Sequence, residues 1–139
     1  MLQERDDLLW LSAVEKSVTQ ALSQANLTHS DIDLFEVHDA YTILSSLSLE
    51  ASGFAKKGEG WKLAQSGEIS INGNLPISTF GGLKSRGNPA GASGIYQAVE
   101  AVMQLRNIAN ENQVNEANTA MIQSIGGLAS TVVTHILQN

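Results

Sequence analysis

Between Asp7 and about Gln24 the apolar residues Leu11, Val14, Val18 and Leu22 recur at steps of three or four, which puts them on one face of a helix. This spacing predicts an amphipathic helix, with Asp6 or Asp7 available to cap its start. Leu34-Phe35-Glu36-Val37-His38 is short, follows the polar Ser30-Asp31, and reads as a strand whose C-terminal end is His38. Thr42 opens a second helix with Ile43, Leu44, Leu47 and Ala51 as its apolar stripe and Gly53 as its stop. From Gly53 to Gly87 glycine stands at 53, 58, 60, 67, 73, 81, 82 and 87 and no period survives, so a long surface connection with one or two short strands is expected. Gly91-Ala92-Ser93-Gly94 leads into a third helix with Ile95, Val99, Val102 and Met103 along one side. Its small first turn allows another backbone or a ligand to approach closely. After an asparagine-rich loop at 107–118, Thr119–Ser124 and Ala129–Ile136 are strand-like runs around Gly126-Gly127, which predicts an antiparallel pair joined by a glycine turn.

This order of elements suits an α/β layered sandwich, a mixed sheet with helices on both faces. A strand before the Asp7 helix would complete a βαβ unit, and MLQERD is too short and too charged to supply it. The sheet is therefore expected to lack its first strand, with another segment pairing at that edge. A length of 139 residues with 42% apolar content supports one domain over residues 1–139, ordered almost throughout.

Charge and composition narrow the chemistry. The net charge is −6 with eight Lys and Arg, so no basic surface attracts nucleic acid. No apolar run is long enough for a membrane span and the N-terminus is too acidic for a secretory signal, giving the expectation of a soluble, cytoplasmic protein. Cysteine is absent, which excludes a cysteine nucleophile, thiolate metal sites and disulfides within the chain. His29, His38 and His135 match no ligand spacing, so no metal site is expected.

Three polar or glycine-rich stretches fall at the ends of elements, where sites on α/β folds lie. They are His38-Asp39-Ala40-Tyr41, Gly81 to Gly91, and Ser124-Ile125-Gly126-Gly127. The glycine-rich stretch matches neither nucleotide-binding pattern, and close helix packing explains its glycines as readily as a ligand does. Taken alone, His38 fits a hydrogen-bonded structural role more readily than a catalytic one. Met103 and Met121 read as core filler, Trp10 and Trp61 as packing residues.

Together, in order and spacing, these stretches resemble the C-terminal half of thiolases, and the sterol-carrier or nonspecific-lipid-transfer subgroup most. That subgroup carries a strand ending in an E-x-H-D-C-F-like motif, here Glu36-Val37-His38-Asp39-Ala40-Tyr41. It then carries G-G-L-x-x-x-G-H-P-x-G-A-[ST]-G, here the run from Gly81-Gly82-Leu83 through Gly87-Asn88-Pro89 to Ser93-Gly94. The glycine hairpin at Ser124–Gly127 follows at the expected distance, and the match runs from about Asp7 to the end.

The resemblance implies a five-layered thiolase fold of two similar halves with the active site between them. It implies acyl transfer to or from coenzyme A, with the CoA thioester as substrate, no permanently bound cofactor and no metal. It also implies two partners, a thiolase N-terminal half that supplies the nucleophilic cysteine and further copies in a homo-oligomer. This sequence departs from the pattern at every proton-moving position: Ala40 replaces the H-D-C-F cysteine, Ser124 the hairpin cysteine and Asn88 the G-H-P histidine. A serine hydroxyl without a dedicated base is a poor proton shuttle, and an amide donates a hydrogen bond without taking up a proton near neutral pH. What remains by resemblance is polarising machinery at His38, Asn88 and the backbone N–H of Gly126, a set suited to a thioester or carbonyl oxygen. The expectation is a divergent thiolase-like acyltransferase that is inactive as this chain alone, with a non-catalytic scaffold or acyl-binding subunit as the alternative.

Overall fold

The computed structural model describes residues 5–139; the reading of MLQERD falls largely outside them. Helix α1 runs Ser12–Ala25 and buries Val14, Val18 and Leu22, with Leu11 beside them, as the periodicity predicts. It starts later than Asp7, and Leu11, not an aspartate, sits at its N-cap. Asp7 serves an earlier turn instead, where its Oδ1 accepts the Leu9 N–H at 2.9 Å. The helix ends as Asn26 turns left-handed at φ 56°, a conformation that asparagine tolerates.

Three strands form one mixed sheet in the order β1 (Leu34–Glu36), β2 (Thr119–Gly126), β3 (Thr131–Gln138). The pair β1–β2 is parallel and β2–β3 is antiparallel, the hairpin that the glycine turn predicts. Side chains alternate across the sheet, so it packs on both faces. Phe35, Val37, Met121 and Ile125 pack with α1 and with Leu49 of α2 (Thr42–Ala51). Leu34, Ala120 and Ile122 face Ala101 and Leu105 of α5 (Ser93–Leu105). The free side of β1 is covered where the Phe35 N–H donates to Pro76 O at 2.9 Å and Phe35 O accepts from Ser78 N–H at 3.1 Å. Along the outer side of β3 no strand pairs among the described residues, the edge at which a further strand would add.

Three expectations need correcting. Strand β1 stops at Glu36 because the Val37 N–H turns back to Phe35 O at 3.1 Å, which places His38 beyond the strand. The stretch 53–87 holds two short helices, α3 (Gly60–Gln65) and α4 (Gly82–Arg86), and a single parallel bridge between Phe35 and Ile77 in place of strands. In α5 the side bearing Ile95 and Val99 faces outward, with those residues 68% and 52% exposed, while Gln97, Glu100, Ala101, Gln104 and Leu105 face in.

The inward glutamines are accepted because the loops they meet offer unpaired backbone groups. Gln97 Nε2 donates to Glu36 O, Val37 O and Gln123 O at 3.0, 3.1 and 2.8 Å, bridging the ends of the parallel strands. Gln104 donates to Asn112 O at 2.6 Å and accepts from Val114 N–H at 2.8 Å, which fastens the loop before β2. At Gly94 a Cβ would lie 3.5 Å from the Ser124 side chain, an ordinary contact, so α5 packs on β2 there without needing the glycine.

Candidate functional site

Parallel strands direct their C-terminal ends to one rim, and here the turn after β1, the α4–α5 loop and the β2–β3 hairpin meet around a cavity of about 590 Å3. His38, Asn88 and Gly126, far apart in the chain, all line it, and so does Ser124. Leu8, Leu11, Leu44, Leu47, Ile125 and Leu128 make much of the remaining wall apolar.

His38 is 5% exposed and its Nδ1 has no hydrogen-bond partner among the described residues. Burial holds its pKa below the ordinary value; the Arg86 cation acts in the same direction and Asp39 opposes both. The imidazole is thus neutral at neutral pH and has an N–H to donate.

Asp39, beside it, is turned away from the cavity. Its Oδ1 accepts the Leu83 N–H at 2.7 Å and its Oδ2 faces the Lys84 N–H at 3.4 Å, so the carboxylate caps the start of α4. Gly82 makes this approach: its φ is +61°, and a Cβ there would stand 2.5 Å from Asp39 Oδ2. The glycine-rich loop is thereby bolted to the turn that carries His38.

Asn88 is exposed and accepts the Ser93 hydroxyl at Oδ1 at 2.6 Å, leaving its amide N–H groups as donors. Gly126 closes β2 opposite Thr131, and the chain reverses through Gly127 and Ala129, both with positive φ. Ala40 lines the cavity without a reactive group.

Several residues lie elsewhere. His29 Nε2 contacts Ser52 O at 2.7 Å, His135 belongs to β3, and Trp61 is half-exposed on α3. Among the described residues no group of three or more His, Cys, Asp and Glu is placed to hold a metal ion, and no helix is long and apolar enough to cross a membrane. The sequence reading did not single out Tyr41 as a cavity residue, or the buried Glu36, Glu100 and Arg86 behind His38. In the sequence Gln97, Glu100 and Gln104, spaced by three and four, mark a polar stripe on one helix, but nothing there says that it faces inward or meets Glu36 and Arg86.

With this geometry in place, comparison with known proteins is informative. The family model described as "Thiolase C-terminal domain-like" matches residues 1–139. An acetyl-CoA acetyltransferase of Methanothermobacter thermautotrophicus is 43% identical over 97% of this chain and 35% of its own length. Sterol carrier protein 2 of Bos taurus is 35% identical over 86% of this chain and 22% of its own. A solved structure titled "Ltp2-ChsH2(DUF35) aldolase" superposes with a TM-score of 0.86 at 27% identity, over 97% of this chain and 34% of that one. The chain therefore spans about a third or less of each of these proteins.

Proposed function

The chain belongs to the thiolase C-terminal domain-like family, and on that premise we propose that it is the C-terminal part of a divergent thiolase-like acyltransferase acting on acyl-CoA thioesters, incomplete without an N-terminal half that carries the nucleophile. One observation supports this most: His38, Asn88 and Gly126, from three separate elements, share one cavity whose remaining wall is largely apolar. A neutral imidazole, a side-chain amide and a backbone N–H are three uncharged donors of the kind that polarise a thioester carbonyl and stabilise the oxyanion formed from it. The leucine-lined wall suits the acyl chain.

Proton chemistry and nucleophilic attack have to come from elsewhere. The chain has no thiol, Ser124 has no dedicated base, and Asn88 takes up no proton near neutral pH. The 43% identical acetyltransferase is about three times as long as the stretch matched here. An N-terminal half would pack on the outward side of α5, where Ile95 and Val99 stand exposed a short way from Gly91 at the cavity. The same polarising wall would serve a retro-aldol cleavage, with His38 as the remaining acid or base.

A second reading, a scaffold or acyl-binding subunit without catalysis, is favoured by Asn88 and the missing cysteines. Calorimetric titration of the chain with a thioether analogue of an acyl-CoA that keeps the ketone oxygen separates a carbonyl site from a pure scaffold. Binding that weakens roughly tenfold in His38→Ala and in Asn88→Ala supports the proposal, since one lost hydrogen bond is worth about 1 kcal/mol or slightly more. Affinity no better than that of free coenzyme A would refute it.

A further inference from the structure

Behind the turn that carries His38 lies a sealed set of charges with no part in the acyl-transfer reading. Glu36, at the end of β1, is fully buried and neither carboxyl oxygen has a hydrogen-bond partner among the described residues. Glu100, on the inward side of α5, is also buried, and its Oε2 is likewise without a partner. Arg86, the last residue of α4, joins them: its Nε lies 3.6 Å from Glu100 Oε1 and its guanidinium carbon lies 5.5 Å from the centre of the Tyr96 ring. None of its three nitrogens makes a hydrogen bond among the described residues. Besides Glu100 and Arg86, the groups around Glu36 are neutral or already engaged. The Ser78 hydroxyl faces its carboxyl and the Gln97 amide donates to its backbone carbonyl, while neutral His38 and Asp39, which is engaged at the α4 amides, follow it in the chain.

The place of Arg86 in the chain gives this cluster a mechanical role. The α4 helix is five residues long; Asp39 holds its start, and its end passes through Gly87 at φ 89° directly into Asn88. Residues 87–92 are exposed, and the bonds within that turn are local ones, Ala92 N–H to Pro89 O at 3.1 Å and Ser93 to Asn88. Arg86 is the link from the end of α4 to the body of α5. We propose that Arg86 is a positioning residue for the candidate site: held between Glu100 and the Tyr96 ring and facing Glu36, it anchors the end of α4 to α5 and so sets the Asn88 turn against the cavity. This holds whichever ligand the cavity takes.

The charge count adds a signature that a merely structural arginine lacks. Two carboxyls against one guanidinium leave a sealed excess of negative charge unless one proton is retained. Burial, with Glu100 beside it, pushes Glu36 up to about 8, against the pull of Arg86. As that proton leaves, the ionised Glu36 competes with Glu100 for the Arg86 guanidinium, and the balance that holds the end of α4 changes.

Methyl relaxation of Ala90 and Ala92 by NMR reads the turn directly, with Ala13 and Ala21 of α1 as internal controls. At pH 6.5 Arg86→Met should drop the order parameters of Ala90 and Ala92 below about 0.6 while the controls stay near about 0.85, and Arg86→Lys should keep the turn rigid. The mobility of the unmutated turn should change between pH 6.5 and 9, and Glu36→Gln should abolish that response. Rigid Ala90 and Ala92 in a folded Arg86→Met chain would overturn the proposal. So would an identical pH response in the Glu36→Gln chain, a comparison that still decides if the methionine variant fails to fold.

Discussion

Replacing Glu36 with glutamine should stabilise the chain, and by an amount that grows with pH. Glutamine has nearly the same shape, keeps the packing at the end of β1, and carries no charge at any pH. In the native chain burial and the neighbouring Glu100 raise the Glu36 pKa from its ordinary value of 4.5 to about 8. Between those values the folded chain holds a proton that the unfolded chain has released, so stability falls as pH rises. The contribution is fully present below the ordinary value and is lost as pH climbs through about 8. One proton gives a slope of about 1.4 kcal/mol per pH unit, and the pKa difference sets an upper bound on the order of 3 kcal/mol at pH 7. The two proteins should therefore differ little at pH 5 and by several kcal/mol at pH 8. Urea unfolding at pH 5, 6, 7 and 8, compared at equal m-values, measures this difference. Parallel stability curves across that range, or a glutamine variant less stable at pH 8, would refute the reasoning that Glu36 is kept protonated by burial.

Three further outcomes are expected. Incubation of the isolated chain with acetoacetyl-CoA should leave its intact mass unchanged, and Asn88→His should not create an acyl adduct, because a base with no thiol beside it has nothing to activate. Light scattering should show self-association that rises with concentration, through the outer side of β3; a monomer at high concentration would count against that edge being open. Gln97→Leu should destabilise folding by about 2–4 kcal/mol in chemical denaturation, because it leaves the Glu36, Val37 and Gln123 carbonyls without their shared donor.

How much of this was legible in the sequence depended on whether the signal was local. The stripe of α1 and the glycine hairpin are set by periodicity and turn chemistry within a dozen residues, and the structure keeps them; α2 is kept as a helix, but Ile43 of its expected stripe is exposed and Leu49 is the leucine it buries. The start of α1 was misplaced because Asp7 caps a turn that precedes the helix. The face of α5 was misread for a different reason. Ile95 and Val99 suggest an inward stripe on hydrophobicity alone, yet Gln97 and Gln104 turn inward because carbonyls of β1, β2 and the 107–118 loop need donors. Those acceptors lie on other elements, so no window of sequence reveals them. The site divides in the same way. His38, Asn88 and Gly126 were picked out by motif order and line one cavity, whereas the Glu36–Arg86–Glu100 cluster joins three elements and required coordinates.

On the proposed function, the cavity keeps the polarising part of a reaction centre without its proton-moving groups. Donors at His38, Asn88 and Gly126 depend on where β1 ends, where α4 is capped and how the hairpin turns. Each of those is fixed by burial and backbone geometry: Val37 in the core, Gly82 against Asp39, Gly126 opposite Thr131. Alanine at 40 and serine at 124 leave that framework standing, because its bonds are made by the backbones of β2 and β3 and by the Asp39 carboxylate. Burial also keeps the His38 ring uncharged, because desolvation disfavours the protonated form and makes the imidazole a weaker base. On the proposed function, such a cavity binds and polarises a carbonyl, and its reactivity is set by whatever group an N-terminal half presents.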